Sequence, residues 1–520
     1  MPASKSPRTA AATDVVEALA PEPAGASAAE QADEEQADAE QPSPEQRRRD
    51  NRVISLLLVA AFTVILNETV MGVAIPHLMA DLQITAVAAQ WLTTAFLLTM
   101  AVVIPTTGFL LQRFTTRSIF IAAMSFFSAG TLLAALAPGF EVLLLARVVQ
   151  ATGTAIMIPL LMTTVMTLVP PAERGRRMGN ITIVIALAPA LGPVISGAIL
   201  SFADWRFLFW FVLPVALAAL GIGAALMTNV GERTAGRLDG WSLPLAALGF
   251  GGVVYGLSTF GEDAATRNES VTVVALGVGT VALGLFVWRQ LVLQRSDRAL
   301  LDLRTFRNRP YTVSVIMFVI LMAALFGGII LLPLLMQGVL GMTVLASGLL
   351  LLPGALLFGL MGPVVGRLFD RVGPRPLIVP GAVLATASMW TFAAVISEST
   401  PWPLLLAGHV VLNIGLSLMF TPLFTASLGS LPPHLYSHGS ATLATVQQVA
   451  GAAGTAALIS TMSAVALSHV AGGASEIAGL AGGIQAAFVV AAVLTSATIG
   501  LAFLVPKPDP DATGGHPGGH

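Results

Sequence analysis

Apolar residues run through this chain in stretches about twenty long, with no two-residue alternation, and short Arg-bearing or Gly/Pro-rich breaks separate them. An α-helix rises 1.5 Å per residue, so about 20 apolar residues cross the ~30 Å hydrocarbon core of a bilayer. In that core every backbone N–H and C=O needs an internal partner, which such a stretch finds as a helix. Fourteen spans are predicted, at 53–79, 89–111, 118–137, 142–166, 180–202, 207–229, 242–260, 271–293, 311–335, 345–366, 377–397, 403–425, 440–467 and 483–505.

Composition agrees: of 520 residues 55% are hydrophobic and 10% charged, with a mean hydropathy of +0.82. These values exclude a soluble globular chain and define an all-α integral membrane protein. The net charge of −2 hides two unlike parts. Residues 1–50 carry five Lys/Arg and eleven Asp/Glu, whereas the remainder carries 21 and 17. The tail, 1–50, is acidic and lacks apolar periodicity over residues 1–46, and it is expected to be disordered and cytoplasmic. The first apolar run is too long for a signal-peptide core and is expected to remain as the first span. With both termini cytoplasmic, 21 Arg/Lys fall in inside segments and two, Arg206 and Arg267, in outside loops, the bias that sets orientation. No cysteine is present, so disulfide and thiol chemistry are absent.

Two short loops repeat. Gly108-Phe-Leu-Leu-Gln112-Arg113-Phe-Thr-Thr-Arg117 and Gly366-Arg-Leu-Phe-Asp370-Arg371-Val-Gly373-Pro-Arg375 lie 258 residues apart, after spans 2 and 10. A displacement of eight helices predicts two six-helix bundles, at 51–230 and 311–506, with an extra pair and a cytoplasmic loop at 231–310 and a short disordered tail at 507–520. Parallel repeats of this kind place a substrate site near the midplane, between the bundles.

The repeated loop resembles motif A of the major facilitator superfamily, complete in the second copy. In the first, Gln112 stands where the family has Asp and Thr115 where it has Gly. Leu66-Asn67-Glu68-Thr69 with Ala74-Ile75-Pro76 is similar to the first-span motif of the fourteen-helix drug:proton antiporters. Leu145-Ala146-Arg147-Val148-Val149-Gln150 looks like motif B, and Pro189, Gly192, Pro193 and Gly197 lie in a segment that looks like the antiporter motif C. Trp205-Arg206-Phe207, Leu301 to Arg309 and Leu332 to Gln337 also recur in such transporters, and together the motifs cover residues 53 to about 460. The resemblance implies a major facilitator fold and proton-driven export of amphipathic cationic drugs by alternating access. It implies no cofactor, with gating by the motif A residues and a gating or leak-preventing role for motif C.

Glu68 is the one carboxylate read inside a span, about 22 Å from the span's inner end. An ionised group in hydrocarbon costs several kcal/mol, so such an acid marks a functional site, and loss of water favours its protonated form. With Arg289, at the inner end of its span, counted among the inside segments, Arg147 is the one Arg or Lys read inside a span and sits about 8 Å from Glu68 in depth, so Glu68, Asn67 and Arg147 are the proton-coupling candidates. Thr69, Trp91, Gln150, Gln337, His409, Asn413 and Gln447 are the cavity candidates. His409 holds a place in span 12 like that of Arg147 in span 4, with Asn413 one turn on. Static helix packing is the bland reading of each, and Trp91 and Trp205 also fit interfacial anchors. No cluster with metal-ligand or nucleophile–base spacing appears, so neither a metal site nor an enzyme is expected. Partners are small amphipathic molecules, protons and lipid, without nucleic acid, and a monomer is expected. A dedicated exporter of one antibiotic, amino acid or lipid, or a transport-inactive receptor or scaffold, are the rival readings.

Overall fold

A computed structural model describes residues 43–230, 239–260 and 269–505. Fourteen long apolar helices and no strand occur among them. They are α1 (Pro44–Leu82), α2 (Ala86–Arg113), α3 (Thr116–Ala135), α4 (Phe140–Leu168), α5 (Arg174–Leu200), α6 (Arg206–Leu226), α7 (Ser242–Phe260), α8 (Glu269–Leu293), α9 (Arg309–Leu334), α10 (Val344–Val372), α11 (Arg375–Val395), α12 (Trp402–Gly429), α13 (Tyr436–Ala471) and α14 (Glu476–Ala502). Each expected span falls on one helix. α1 starts nine residues before its expected span, because Ser43 Oγ accepts the N–H of Gln46 and Pro44 opens the helix, so Pro44 to Asp50 are helical although 1–50 reads as a disordered tail. The rest of that tail, residues 507–520 and the loops 231–238 and 261–268 lie outside the described residues.

The repeat is visible in the helix starts. α2 and α10 each begin after a threonine, Thr85 or Thr343, whose side chain accepts a backbone N–H three residues on. Their ends explain the uneven motif A. Gly373 has φ +78°, where glycine is favoured, whereas Thr115 has φ −69° and caps α3 through Ser118 N–H. Arg117 and Arg375 then act alike: Arg117 donates to the Ala224 carbonyl at the end of α6 at 2.6 Å, and Arg375 to the Phe503 carbonyl just past α14.

The halves meet along α5 with α10 and α2 with α13, and of the inserted pair α7–α8 it is α7 that packs on α2 and α13. Where α5 crosses α10, Gly175 lies on the Gly366 carbonyl and Gly179 on that of Gly362, and no side chain separates the two backbones. Small residues on both helices let them come this close. Trp205 is buried, and its Nε1 donates to Asp81 Oδ2 at 2.8 Å, so it ties α6 to the end of α1 and is not a lipid-interface anchor.

Candidate functional site

Glu68 lies on α1 where one face turns to open space: its carboxylate has no hydrogen bond or ion pair to any described residue, and nothing lies within 4 Å of where a Cβ on Gly72, one turn on, would sit. It is half-buried. Its neighbour Asn67 is 2% exposed, and the buried Nδ2 has no hydrogen-bond partner.

Arg147 is 1% exposed on α4 and its charge is met by neutral groups. Nη1 donates to Gln150 Oε1 at 3.1 Å, Nε to the Leu92 carbonyl at 3.4 Å, and the guanidinium lies 4.1 Å from the centroid of the Phe96 ring. Gln150 in turn donates to Thr131 Oγ1 at 2.9 Å. Gln150 is fully buried behind Arg147 and so does not line a cavity. Glu68 and Arg147 act on each other electrostatically without an ion pair within 4.0 Å.

Thr69 turns its hydroxyl back onto α1, donating to the Leu66 carbonyl at 3.0 Å. Gly192 of α5 sits directly on that hydroxyl, and one turn later Ser196 Oγ donates to the Val70 carbonyl at 3.1 Å. Motif C therefore divides. Gly192 seats α5 on α1 beside Glu68, while Pro189, Pro193 and Gly197 lie on an exposed face, with nothing within 4 Å of a Cβ on Gly197.

The other cavity candidates spread out. His409 and Asn413 sit together on α12 against α10: His409 Nε2 lies 3.1 Å from the Leu351 carbonyl and Asn413 Nδ2 donates to the His409 carbonyl at 2.8 Å. Trp91 stacks on Tyr255 of the inserted pair, ring centroids 5.8 Å apart. Gln447 reaches Met322 Sδ at 3.9 Å, and Gln337 is exposed in a π-helical turn after α9.

Hydrogen bonds between the two halves concentrate toward the arginine-rich face. Asp370 Oδ1 accepts the N–H of Gly175 at 2.7 Å and Oδ2 that of Arg176 at 2.8 Å, so the second motif A caps the start of α5. Gln112 of the first motif A donates to the His434 carbonyl at 2.8 Å. The neutral amide makes the crossing its missing acid does not. Gly108 packs on His438, Gly366 on Gly175, and Arg113 and Arg371 are exposed. Deeper, Thr182 pairs with Thr421 at 2.8 Å and Thr163 with Ser440 at 2.7 Å, and Gln448 reaches Met100 Sδ at 3.7 Å.

Sequence reasoning missed a polar network under the same face, where the 289–309 stretch reads as an orienting loop. Arg289 makes two 2.6 Å bonds to Asp239. These bonds, with those from Ser242 and against the opposing effect of burial, hold the Asp239 carboxyl down at about 2. Gln290 accepts the Leu300 N–H at 2.7 Å, Asp302 is buried against Arg304, and the Asp302 N–H points to His438 Nδ1 at 3.3 Å. The signal available was the alternation of Asp and Arg at 297–304. No group of three or more His, Asp or Glu that could hold a metal occurs among the described residues.

Two repeated six-helix halves, a polar cluster at mid-depth and an arginine-rich face where hydrogen bonds join the halves define a multi-pass membrane transporter. The chain belongs to the Major Facilitator Superfamily, whose family model matches residues 57–455. It is 42% identical over 455 residues to the lincomycin resistance protein LmrB of Bacillus subtilis, covering 86% of this chain and 94% of the relative. It is 30% identical over 406 residues to the multidrug resistance protein B homolog of Mycobacterium tuberculosis, covering 78% of this chain and 75% of that one. Among solved structures, a double-Trp mutant of XylE superposes with a TM-score of 0.61 at 12% identity, over 88% of this chain and 97% of that one. The human organic anion transporter MFSD10 superposes with 0.59 at 14%, over 87% and 99%. These two likenesses concern the fold alone.

Proposed function

We propose that this protein exports amphipathic, cationic drugs, lincomycin among them, in exchange for protons. The observation that carries the reading is Glu68, an intramembrane carboxyl without a hydrogen bond or ion pair among the described residues, within the field of the buried charge of Arg147. A carboxylate in that position binds either a proton or a cation, and one expels the other. Arg147 cannot discharge and holds the site's field fixed while Glu68 changes state. Both termini lie in the cytoplasm on this reading, which makes the arginine-rich face the inner one and the present state closed inward. The names of the 42% and 30% relatives support drug export.

A narrower exporter is the second reading, favoured because the 42% identical relative carries the name of a single drug. Efflux of a fluorescent lipophilic cation and of lincomycin, from cells lacking their own pumps, tests both. The antiporter reading expects efflux that an uncoupler stops and that Glu68→Gln lacks at matched expression. Uncoupler-insensitive efflux sinks proton coupling, and lincomycin efflux without dye efflux selects the narrower exporter.

A further inference from the structure

Arg147 and His409 each stand seven residues after the first residue of their helices, α4 and α12. Each side chain crosses to a backbone carbonyl of the neighbouring helix, α2 or α10. Those carbonyls belong to Leu92, seven residues after the cap Thr85, and Leu351, eight after the cap Thr343. Eleven residues after each cap the halves diverge. The N-terminal half has Phe96, whose ring lies under the guanidinium. The C-terminal half has Gly354, where an added Cβ would lie 2.5 Å from His409 Cδ2 and 2.8 Å from Asn413 Nδ2. The same hook is thus built twice, once from a group that stays charged and once from a group that can gain and lose a proton.

We propose that His409 is a second proton-carrying residue of the transport cycle, the titratable counterpart of Arg147 in the C-terminal half. This rests on the proton-coupled reading above. Donation from Nε2 to the Leu351 carbonyl fixes the neutral tautomer and leaves a lone pair on Nδ1. Asn413 Nδ2 is 3.4 Å from that nitrogen and 3.1 Å from Nε2, and its better bond goes to the His409 carbonyl. When Nδ1 takes a proton it becomes a donor, and a half-turn of the Asn413 amide brings Oδ1 to accept it. Each state therefore has a partner, the charged one in exchange for the bond from Asn413 Nδ2 to the His409 carbonyl. The step adds one proton and one positive charge to the imidazole and returns both, with no other bond made or broken.

The rest of the surroundings is neutral. From α10 come the Leu351 carbonyl and Gly354. From α11 come Phe392, packed on Gly408, and Ser388, whose hydroxyl donates to the Gly408 carbonyl at 2.6 Å. Among the described residues no charged side chain acts on the imidazole.

The test begins without substrate. The purified full-length protein, unbuffered in detergent with a pH-indicator dye, is taken from pH 8 to pH 5 and its proton uptake compared with that of His409→Gln. Glutamine keeps a donor for the Leu351 carbonyl and has no nitrogen that binds a proton, and the other six histidines are common to both proteins. About one proton fewer per molecule is expected, and equal uptake overturns the proposal. Should His409→Gln not fold, Asn413→Asp places a carboxylate beside Nδ1 and should raise the midpoint of that uptake by about one pH unit, and an unmoved midpoint overturns the proposal. In proteoliposomes His409→Gln should then move lincomycin with one proton fewer per molecule, and an unchanged ratio overturns the carrier role. Failure of proton coupling as a whole appears instead as wild-type efflux that ignores an imposed gradient, whatever the substrate-free uptake.

Discussion

Asp370 at the end of α10 receives the backbone N–H of Gly175 at the start of α5, across the seam between the two halves. A carboxylate at a helix start meets unpaired N–H groups and the positive end of the helix dipole. Replacing such a cap by alanine costs about 0.5–2 kcal/mol, whereas asparagine caps nearly as well. Asp370→Ala should therefore favour the state open at the arginine-rich face by roughly two- to thirtyfold, and Asp370→Asn much less. The chain has no cysteine, so a single cysteine at Thr421, which pairs with Thr182 in the seam, reports opening through its rate of maleimide labelling. Equal labelling in all three backgrounds would remove Asp370 from the closure.

Gly192 and Gly197 belong to one sequence motif and should respond oppositely to enlargement. A side chain at 192 drives into Thr69 beside Glu68, while one at 197 meets nothing within 4 Å. Overpacking costs about 1–3 kcal/mol. Gly192→Val should abolish efflux at normal expression, and Gly197→Val should leave it within about twofold of wild type. Drug-resistance titres of cells carrying each variant decide the matter.

Arg147→Lys keeps the charge and loses the geometry. One ammonium cannot reach Gln150 Oε1 and the Leu92 carbonyl together while lying flat on Phe96. Losing a hydrogen bond to a charged group costs about 1.5–3 kcal/mol, so gradient-driven efflux should fall at least ~10-fold. Unaltered efflux would show that charge alone suffices there.

Fourteen helices, the two halves and the inserted pair were legible because each span must be apolar over its whole length, a signal carried locally. Glu68 and Arg147 stood out for the same reason: charge in hydrocarbon is visible in one dimension. What joins distant residues was not. Nothing near Gln112 announces the His434 carbonyl, and nothing near Asp370 announces α5, since helix-cap acceptors are ordinary polar residues until a second helix arrives. Gln150 and Trp205 misled for a related reason. Their polar atoms find partners in Thr131 and Asp81, which turns expected cavity-lining and interfacial residues into buried ones.

Asp239 gives a prediction in pH. Its folded value of about 2 lies below the ordinary 3.8, so its bonds to Arg289 and Ser242 stabilise the fold fully above pH ~4, and that stability drains away as pH falls toward 2. Asp239→Asn should lower the unfolding temperature at pH 7, and the gap from wild type should close between pH 4 and 2. Thermal unfolding in detergent across that range checks it. A gap independent of pH would assign the effect to packing.

The glycine contacts between α5 and α10 bear on how cheaply the seam is remade. Most interfaces immobilise long side chains when they close, and each loses up to about 2 kcal/mol of rotamer freedom. Gly175, Gly179, Gly362 and Gly366 have no rotamers to lose. At these four positions parting and rejoining costs no glycine rotamer freedom, and the ordering that closure demands falls to the few side chains that cross the seam, Asp370 among them.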